Sequence, residues 1–424
     1  MSLYREASPH GIGIPCKNRF KPLQGKNPKR AVARCRLLLA ASLLCCPALF
    51  AAQKSAPGPQ IIAYVFPQNH VLQPGEIAAQ KVTRINYAFA NIANGVIVDG
   101  FPTDAANFAA LNALKKQNPS LTVLVSVGGW LWSGNFSDTM LTEQSRKTFI
   151  DSVVAFIEKY DLDGLDIDWE YPGLAGSTNH FRPEDQQNYT AVLKELRQRF
   201  DGEETKLHRR LYISVATGSD TNFLQHTQMN EVQKYVDTVN LMAYDYYEPD
   251  SGPITGFNAP LYTNPMDPKH ASANESVREY EAAGVPAAKI VLGVPFYGHA
   301  WGHVHNKNHG LFQPGQAVPG AYANYGNIMA TMLNPAVPHS GYVRYWDPVS
   351  AVPYLYNRKK KIFISYDDPE SMALKCQYAV NHKLGGIMFW DYSGDPTGAL
   401  LDTIDATLLH QPHNGSSDAG AQAQ

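Results

Sequence analysis

Three carboxylic acids alternate along one short, otherwise apolar segment of the chain. Asp166, Asp168 and Glu170 are each separated by a single residue within residues 164–170. If the segment is a β-strand, its side chains alternate between two faces, so the acids share one face and the apolar residues the other. Acids about 6–7 Å apart in a confined site cannot all ionise cheaply, so at least one keeps its proton near neutral pH. A carboxylic acid of this kind can donate a proton to a leaving oxygen.

The elements that would position these acids recur with a regular rhythm. Eight short apolar segments rich in β-branched residues alternate with amphipathic helical patterns. They cover residues 61–66, 84–90, 121–127, 164–170, 211–217, 238–244, 290–295 and 386–391. Alternating strands and helices predict a parallel sheet of the α/β class, and eight such units are the number that closes a (β/α)8 TIM barrel. An open doubly wound sheet is the main alternative, but no glycine-rich phosphate loop follows the first segment.

The acidic strand has two conceivable placements. Composition alone favours a solvated edge strand, but a barrel has no edge strands, and its surrounding helices need the apolar face. The acids then point into the barrel, and the last of them, Glu170, lies nearest the C-terminal mouth where barrel active sites form. Glu170 is therefore the predicted proton donor.

One connection is far longer than the loops usual in such folds. More than 70 residues, 296–368, separate the seventh strand from a helix predicted to begin near Pro369. Strand-like pieces at residues 342–346 and 361–366 predict a small α+β insertion over residues 299–366, between strand 7 and helix 7 at the barrel mouth. The catalytic domain then covers residues 53–410, and the small polar residues of 411–424 predict a disordered tail.

The first 52 residues have the pattern of a cleaved signal peptide. Basic residues precede an apolar run at residues 37–50 that ends in small residues. The run is shorter than the roughly 20 residues that a membrane-spanning helix needs. We therefore expect a secreted protein, extracellular or periplasmic, with no membrane contact after cleavage.

Removal of this leader changes the charge and the cysteine content. It takes nine of the 36 Lys and Arg residues and one of the 38 Asp and Glu residues, leaving 27 basic against 37 acidic side chains. This balance disfavours nucleic acid as a partner and suits a neutral substrate. Only Cys376 of five cysteines remains, so no intramolecular disulfide can form, and we expect a monomer that relies on its packed core.

Motifs on four separate predicted strands resemble glycoside hydrolase family 18, the chitinases. The family pattern Asp-x-x-Asp-x-Asp-x-Glu is matched without substitution by Asp163, Asp166, Asp168 and Glu170. The other motifs are Ser126-Val-Gly128-Gly129 followed by Trp130, Met242-Ala-Tyr244-Asp245, and Trp390 on the eighth strand. The resemblance runs from about Ile61 to His410 and includes the long insertion.

The resemblance implies hydrolysis of chitin or chito-oligosaccharides by a retaining, substrate-assisted mechanism. Glu170 would protonate the glycosidic oxygen while the 2-acetamido carbonyl of the sugar attacks the anomeric carbon and forms an oxazolinium ion. Asp168 would bind the acetamido N–H and exchange a proton with the deeper Asp166. Tyr244 would hold the acetamido oxygen, and Asp245 a neighbouring polar group. No cofactor and no metal ion is implied.

The resemblance also implies a set of substrate-binding residues around the donor. They are Asp163, Tyr64, Phe89, Gly129, Trp130, Tyr171, Met242, Asp245 and Trp390. Aromatic rings pack well on the C–H faces of sugars, and Trp390 is expected under the sugar whose bond breaks. Tyr64 and Phe89 fit interior barrel packing equally well. Trp169 and Trp346 are expected to be core residues.

Four histidines follow the seventh strand: His299, His303, His305 and His309. Their loop carries no carboxylate or cysteine partner at a familiar metal-binding spacing, so no zinc site is predicted there. His299 stands where many relatives have arginine after Tyr-Gly, and this departure puts the sugar contacts of that position in doubt.

Two other functions remain open on the sequence. A non-catalytic chitin-binding lectin of the same fold usually loses the glutamate that this chain keeps as Glu170. An endo-β-N-acetylglucosaminidase shares the acidic motif but usually lacks the combination of long insertion and aromatic-rich cleft. The sequence does not decide between endo and exo attack.

Overall fold

Parallel strands close into a barrel in the computed structural model, which describes residues 58–334 and 340–409. In chain order the strands that form or branch from the barrel are β1 (Gln60–Val65), β2 (Arg84–Ala93), β3 (Val96–Val98), β4 (Thr122–Gly128), β5 (Gly164–Asp168), β6 (Tyr212–Thr217), β7 (Thr238–Leu241), β8 (Ile290–Pro295) and, last in the chain, β14 (Gly386–Trp390). Among the described residues eight of them close the ring in the order β1-β14-β8-β7-β6-β5-β4-β2, and β1 pairs with β2. Strand β3 forms a short hairpin with β2. The predicted TIM barrel is confirmed.

Helices connect and surround these strands. They are α1 (Asp104–Ala113), α2 (Phe136–Met140), α3 (Glu143–Tyr160), α4 (Asp185–Leu207), α5 (Thr221–Gln225), α6 (Met229–Val232), α7 (Ala273–Ala282), α8 (Tyr325–Thr331), α9 (Pro369–Asn381) and α10 (Ala399–Leu408). Helix α4 shows why they form, because its buried apolar residues recur every three or four positions and make one stripe against the barrel. No helix of the described residues is long and apolar enough to cross a membrane.

Strand β5 separates its acids from its apolar residues, as the alternation predicts. Leu165, Ile167 and Trp169 are buried in the large core between barrel and helices. The Trp169 ring stacks on Phe136 of α2 with centroids 5.1 Å apart. Trp169 is therefore a core residue, and the opposite face of β5, which carries the acids, is the barrel interior.

A second sheet is inserted between β8 and α9. Among the described residues it has five antiparallel strands in the order β10-β9-β13-β12-β11. These are β9 (Tyr297–Gly302), β10 (Gln316–Asn324), β11 (Val343–Asp347), β12 (Val352–Asn357) and β13 (Ile362–Ser365), with α8 between β10 and β11. The predicted α+β insertion is thus present. Its sheet starts at Tyr297, two residues earlier than the sequence suggests, because a single residue separates β8 from β9.

The two terminal segments of the sequence prediction lie outside the described residues. The predicted signal peptide covers residues 1–52, and the predicted tail covers residues 411–424. Both stay predictions. Within the described chain, Cys376 is buried in α9 and forms no disulfide.

Candidate active site

Asp166 lies at the bottom of the site and is completely buried. It accepts hydrogen bonds from the hydroxyls of Ser214 at 2.5 Å, Ser126 at 2.7 Å and Tyr64 at 2.9 Å, and from Asn240 Nδ2 at 3.2 Å. These donors come from strands all around the barrel. Burial raises the pKa of Asp166, and the hydrogen bonds oppose that rise because they favour the ionised form.

Asp168 lies above Asp166 on the same face of β5 and is 4% exposed. Its Oδ1 has no hydrogen-bond partner among the described residues. Burial, followed by the charges of Glu170 and Asp166, raises its pKa well above the usual range. A buried acceptor without a donor is costly unless a ligand supplies one. Asp168 Oδ1 can therefore accept a hydrogen bond from an N–H or O–H group of a substrate.

Glu170 follows β5 by two residues and is 9% exposed. Its backbone N–H donates to Ser133 Oγ at 2.9 Å, and that hydroxyl donates to the carbonyl of Gly129 at 2.9 Å. Burial raises the pKa of Glu170 to about 8, the negative charges of Asp245 and Glu248 add to the rise, and a hydrogen bond from Tyr171 opposes it. Glu170 therefore carries a proton at neutral pH, as a general acid must.

Two glycines let the end of β4 approach the acids closely. A Cβ on Gly128 would lie 2.3 Å from the carbonyl oxygen of Asp168, and one on Gly129 would lie 2.6 Å from the Phe89 ring. Both glycines have positive φ angles, 106° and 77°. The N–H of Gly129 donates to the Asp168 carbonyl at 2.7 Å. Gly129 thus supports the acidic strand and makes way for the Phe89 ring.

Trp390 ends β14 and forms the centre of an aromatic group. Phe89 stacks on it with centroids 5.5 Å apart, and the rings of Phe66 and Tyr64 lie at 5.6 Å and 6.0 Å. A cleft of about 410 Å³ opens beside it, lined by Phe66, Gln68, Tyr322, Asn324, Trp390, Asp391 and Ser393. Tyr64 is 2% exposed and bonded to Asp166, so it belongs to the barrel interior, whereas Trp390 borders the cleft.

Trp130 and Tyr171 form a second pair of aromatic residues, and Tyr171 directly follows Glu170. Trp130 follows Gly129 and is 51% exposed. Its ring centroid is 6.5 Å from that of Tyr171, the residue after Glu170. A large exposed indole beside a buried acid is an unusual surface feature and is suited to contact with a ligand.

The segment after β7 brings three predicted residues to the site. Strand β7 ends at Leu241, earlier than predicted, so Met242, Tyr244 and Asp245 occupy the connection that follows it. Tyr244 is 9% exposed and packs in a small apolar cluster, against which the partly buried Met242 also packs. Among the described residues the Tyr244 hydroxyl has no hydrogen-bond partner. Asp245 Oδ1 accepts hydrogen bonds from Tyr297 Oη at 2.6 Å and from His299 Nε2 at 2.8 Å.

Asp163 is the one predicted residue that the structure does not bring to this group. It precedes the N-terminal end of β5, opposite the mouth, where its Oδ2 accepts the backbone N–H of Val123 at 2.8 Å. Its carboxylate also pairs with Lys115 at 2.6 Å and Arg209 at 3.2 Å. Asp163 anchors the start of the acidic strand, and this position does not support a direct substrate contact.

Several residues of the site were not singled out from the sequence. Ser214 and Asn240 are polar residues at inward positions of otherwise apolar strands, which is the signal that could have found them. Two others lie outside the strands and α-helices, in segments without a recognisable pattern. Ser133 accepts a hydrogen bond from the backbone N–H of Glu170, and the charge of Glu248 raises the pKa of Glu170. The four histidines do not come together as a group, because His303 and His305 are exposed in a turn and His309 stacks on Tyr345.

Comparisons with known proteins agree with this geometry. Residues 60–395 match the family model described as "Glycosyl hydrolases family 18". The chain is 35% identical over 418 residues to Chitinase A1 of Niallia circulans, covering 81% of this chain and 59% of that protein. It is 32% identical over 368 residues to Chitinase 1 of Aphanocladium album, covering 81% of each.

A solved structure extends the likeness to the fold. The family 18 N-acetylglucosaminidase of Paenibacillus barengoltzii superposes with a TM-score of 0.76 at 36% identity, covering 82% of this chain and all of that one. The described chain matches little more than half the length of Chitinase A1, so activities of whole relatives are not carried over with the fold. From the barrel, the acidic strand and these matches it follows that the chain belongs to the glycosyl hydrolases of family 18.

Proposed function

We propose that the protein hydrolyses β-1,4 links between N-acetylglucosamine units of chitin and its oligomers, with Glu170 as general acid and base. The observation that carries the proposal is the buried carboxyl of Glu170 at the C-terminal mouth of the barrel, on the same face of the acidic strand as Asp168, whose Oδ1 has no partner among the described residues. Burial raises the pKa of Glu170 to about 8, which suits a proton donor. Relatives named as chitinases support the choice of substrate.

The proposed mechanism uses the substrate's own acetamido group as nucleophile. Glu170 donates its proton to the glycosidic oxygen as the C1–O bond breaks, and the acetamido carbonyl oxygen bonds to C1 to give an oxazolinium ion. Asp168 Oδ1 accepts the acetamido N–H and lies next to the positive charge. In this mechanism the hydroxyl of Tyr244 donates a hydrogen bond to the acetamido oxygen. In the second step Glu170 takes a proton from the water that attacks C1, while the bond from C1 to the acetamido oxygen breaks and restores the acetamide, as microscopic reversibility requires.

The arrangement of Asp166 and Asp168 supports this division of roles. Asp166 is held by hydrogen bonds from four strands and cannot approach a substrate, whereas Asp168 has an unused acceptor. A proton shared between the two carboxyls lets Asp168 become more negative as positive charge develops on the sugar. Asp168 then stabilises the oxazolinium ion electrostatically and does not form a bond to carbon.

Turnover of a fluorogenic chitobioside tests the proposal against a non-catalytic lectin. We expect steady release of the fluorophore, with many turnovers per protein molecule. Binding of chito-oligosaccharide without release would favour the lectin. The named activity of the Paenibacillus barengoltzii structure makes N-acetylglucosaminidase action a second candidate, which a predominance of monomer among the first products of a chitin hexamer would support.

The pH dependence of kcat/KM is expected to follow the protonation of Glu170. Because only the protonated acid can donate, kcat/KM should be high below the pKa and fall as the pH rises through about 8. The apparent pKa of this profile describes Glu170 and Asp168 together, because the two neighbouring carboxyls influence each other's protonation. A Glu184→Gln variant, changed at an exposed position before α4, should show the same profile. A profile that stays flat well above this pH would contradict the assignment.

Export and a monomeric state complete the proposal. Both rest on the sequence alone: export on the leader pattern of residues 1–52, and the monomeric state on a chain long enough to build its own packed core. The lack of a membrane-spanning helix among the described residues is compatible with a protein that acts outside the cell on a polymer.

A further inference from the structure

Asp245 and Glu248, in the connection that follows β7, and His299 of β9 bring potential metal-binding atoms close together. One donor atom from each lies within 4.8 Å of the donor atoms of the other two. His299 Nε2 and Asp245 Oδ1 are 2.8 Å apart. Donor atoms around a tetrahedral zinc ion, with bonds near 2.0–2.2 Å, lie roughly 3.4 Å from one another. The separation between His299 Nε2 and Asp245 Oδ1 is shorter than that value, and the other two are at most 4.8 Å. An ion would replace the proton that His299 Nε2 donates to Asp245 and would need only small side-chain movements.

Surrounding contacts hold two of these donors in place. The His299 side chain is 9% exposed, and its ring is packed edge-to-face against Tyr297 and Trp301. The backbone N–H of Asp245 donates to Asn258 Oδ1 at 2.9 Å, and its carboxylate accepts from Tyr297 Oη at 2.6 Å. Outer hydrogen bonds of this kind orient the ligands of metal sites.

Glu248 is the potential metal ligand of this group whose carboxylate has no other partner among the described residues. Its carboxylate makes no hydrogen bond and no ion pair within the described residues, although its side chain is only partly exposed. Asp245 and Glu248 approach each other in a partly buried place, which is unfavourable for two negative charges and favourable for a cation between them. This group cannot be recognised from the sequence, because His299 lies about 50 residues after the two carboxylates.

We propose that Asp245, Glu248 and His299 form a binding site for a divalent transition-metal ion such as Zn²⁺, and that its occupancy inhibits hydrolysis. One imidazole nitrogen with two carboxylate oxygens suits zinc and its neighbours better than calcium or magnesium, which prefer oxygen ligands alone. The ion would bind the carboxylates of Asp245 and Glu248 and so remove negative charge from the surroundings of Glu170. The inhibition rests on the proposed function, whereas the binding does not.

Calorimetric titration of the full chain with Zn²⁺ alone, without a histidine tag, tests the site. We expect one ion per chain, and a loss of affinity of more than about tenfold in Glu248→Gln and in His299→Gln, since even outer partners of a metal site are worth about 10–100-fold. His305→Gln is the matched control, because it removes an exposed histidine of the following turn and should leave the affinity unchanged. Glu248→Gln removes no hydrogen bond and should fold normally.

Cobalt gives an independent readout of the same site. Co²⁺ bound by these three side chains in a four- or five-coordinate site should produce visible absorption in the wild type and His305→Gln, and none in Glu248→Gln. The site is overturned if no saturable binding occurs, or if Glu248→Gln and His299→Gln bind as the wild type does. Zinc that binds but leaves chitobioside turnover unchanged overturns the inhibitory role. An enzyme without any turnover would count against the proposed function and not against the metal site.

Discussion

Replacement of Glu170 by glutamine is expected to lower kcat on chito-oligosaccharides by about 10²–10⁴-fold, the usual worth of a positioned general acid and base. Glutamine keeps the shape of the side chain, but it has no acidic proton that it could transfer to the leaving oxygen. The surroundings of Glu170 should survive the change, because the interaction with Ser133 is made by the backbone N–H. Binding of a chitin tetramer, measured by calorimetry, should therefore change little.

The matched control for this variant is Glu184→Gln. Glu184 is also a glutamate that follows β5, but it is exposed and its side chain does not cap α4. It should keep wild-type kcat and KM. A Glu170→Gln variant with kcat within a few-fold of the wild type would show that the proton comes from another group, and the proposed mechanism would fail.

Oligomers of glucose are expected to resist hydrolysis, whereas chitin oligomers of the same length are cut. The two substrates share the β-1,4 link and differ at the 2-position, where glucose carries a hydroxyl and not an acetamido group. Without that group no carbonyl oxygen can bond to C1, and no N–H group can donate a hydrogen bond to Asp168 Oδ1. Release of reducing ends from cellotetraose and chitotetraose at equal concentration measures the difference.

A binding measurement separates chemistry from recognition in that comparison. Aromatic contacts at Trp390 and Trp130 can act on either sugar, so some affinity for cellotetraose is compatible with the proposal. The informative outcome is kcat at saturation. Comparable kcat on both tetramers would contradict participation of the acetamido group and would require a nucleophile from the protein.

The barrel could be predicted from the sequence because its strands repeat a strong signal. Each of the eight segments is apolar and rich in β-branched residues, and helical patterns separate them. The number of strand–helix units therefore indicates the barrel, whose eight strands the structure shows. Boundaries were less certain. The insertion begins two residues earlier than predicted, because only one residue separates β8 from β9. Strands β5 and β7 are shorter than predicted, because the site residues that follow them continue the strand-like pattern.

The central acids of the site could also be predicted, because a period of two fixes which residues share a face of β5. Their partners could not. Ser214 and Asn240 meet Asp166 only when distant strands close the barrel, and single polar residues in buried strands have no meaning without that closure. The motif predicts a substrate contact for Asp163, but Asp163 precedes β5 at the N-terminal end of the barrel, where its carboxylate binds Val123 N–H and pairs with Lys115.

The configuration of the first products from a chitin hexamer tests the proposed chemistry most directly. Proton NMR in the first minutes, before mutarotation, resolves the α and β anomers of each new reducing end. Attack by the substrate's acetamido group and then by water inverts C1 twice, so the new ends should be β. New ends that form as α would show a single displacement by water, and would contradict both the oxazolinium ion and the role of Glu170 as donor and then base.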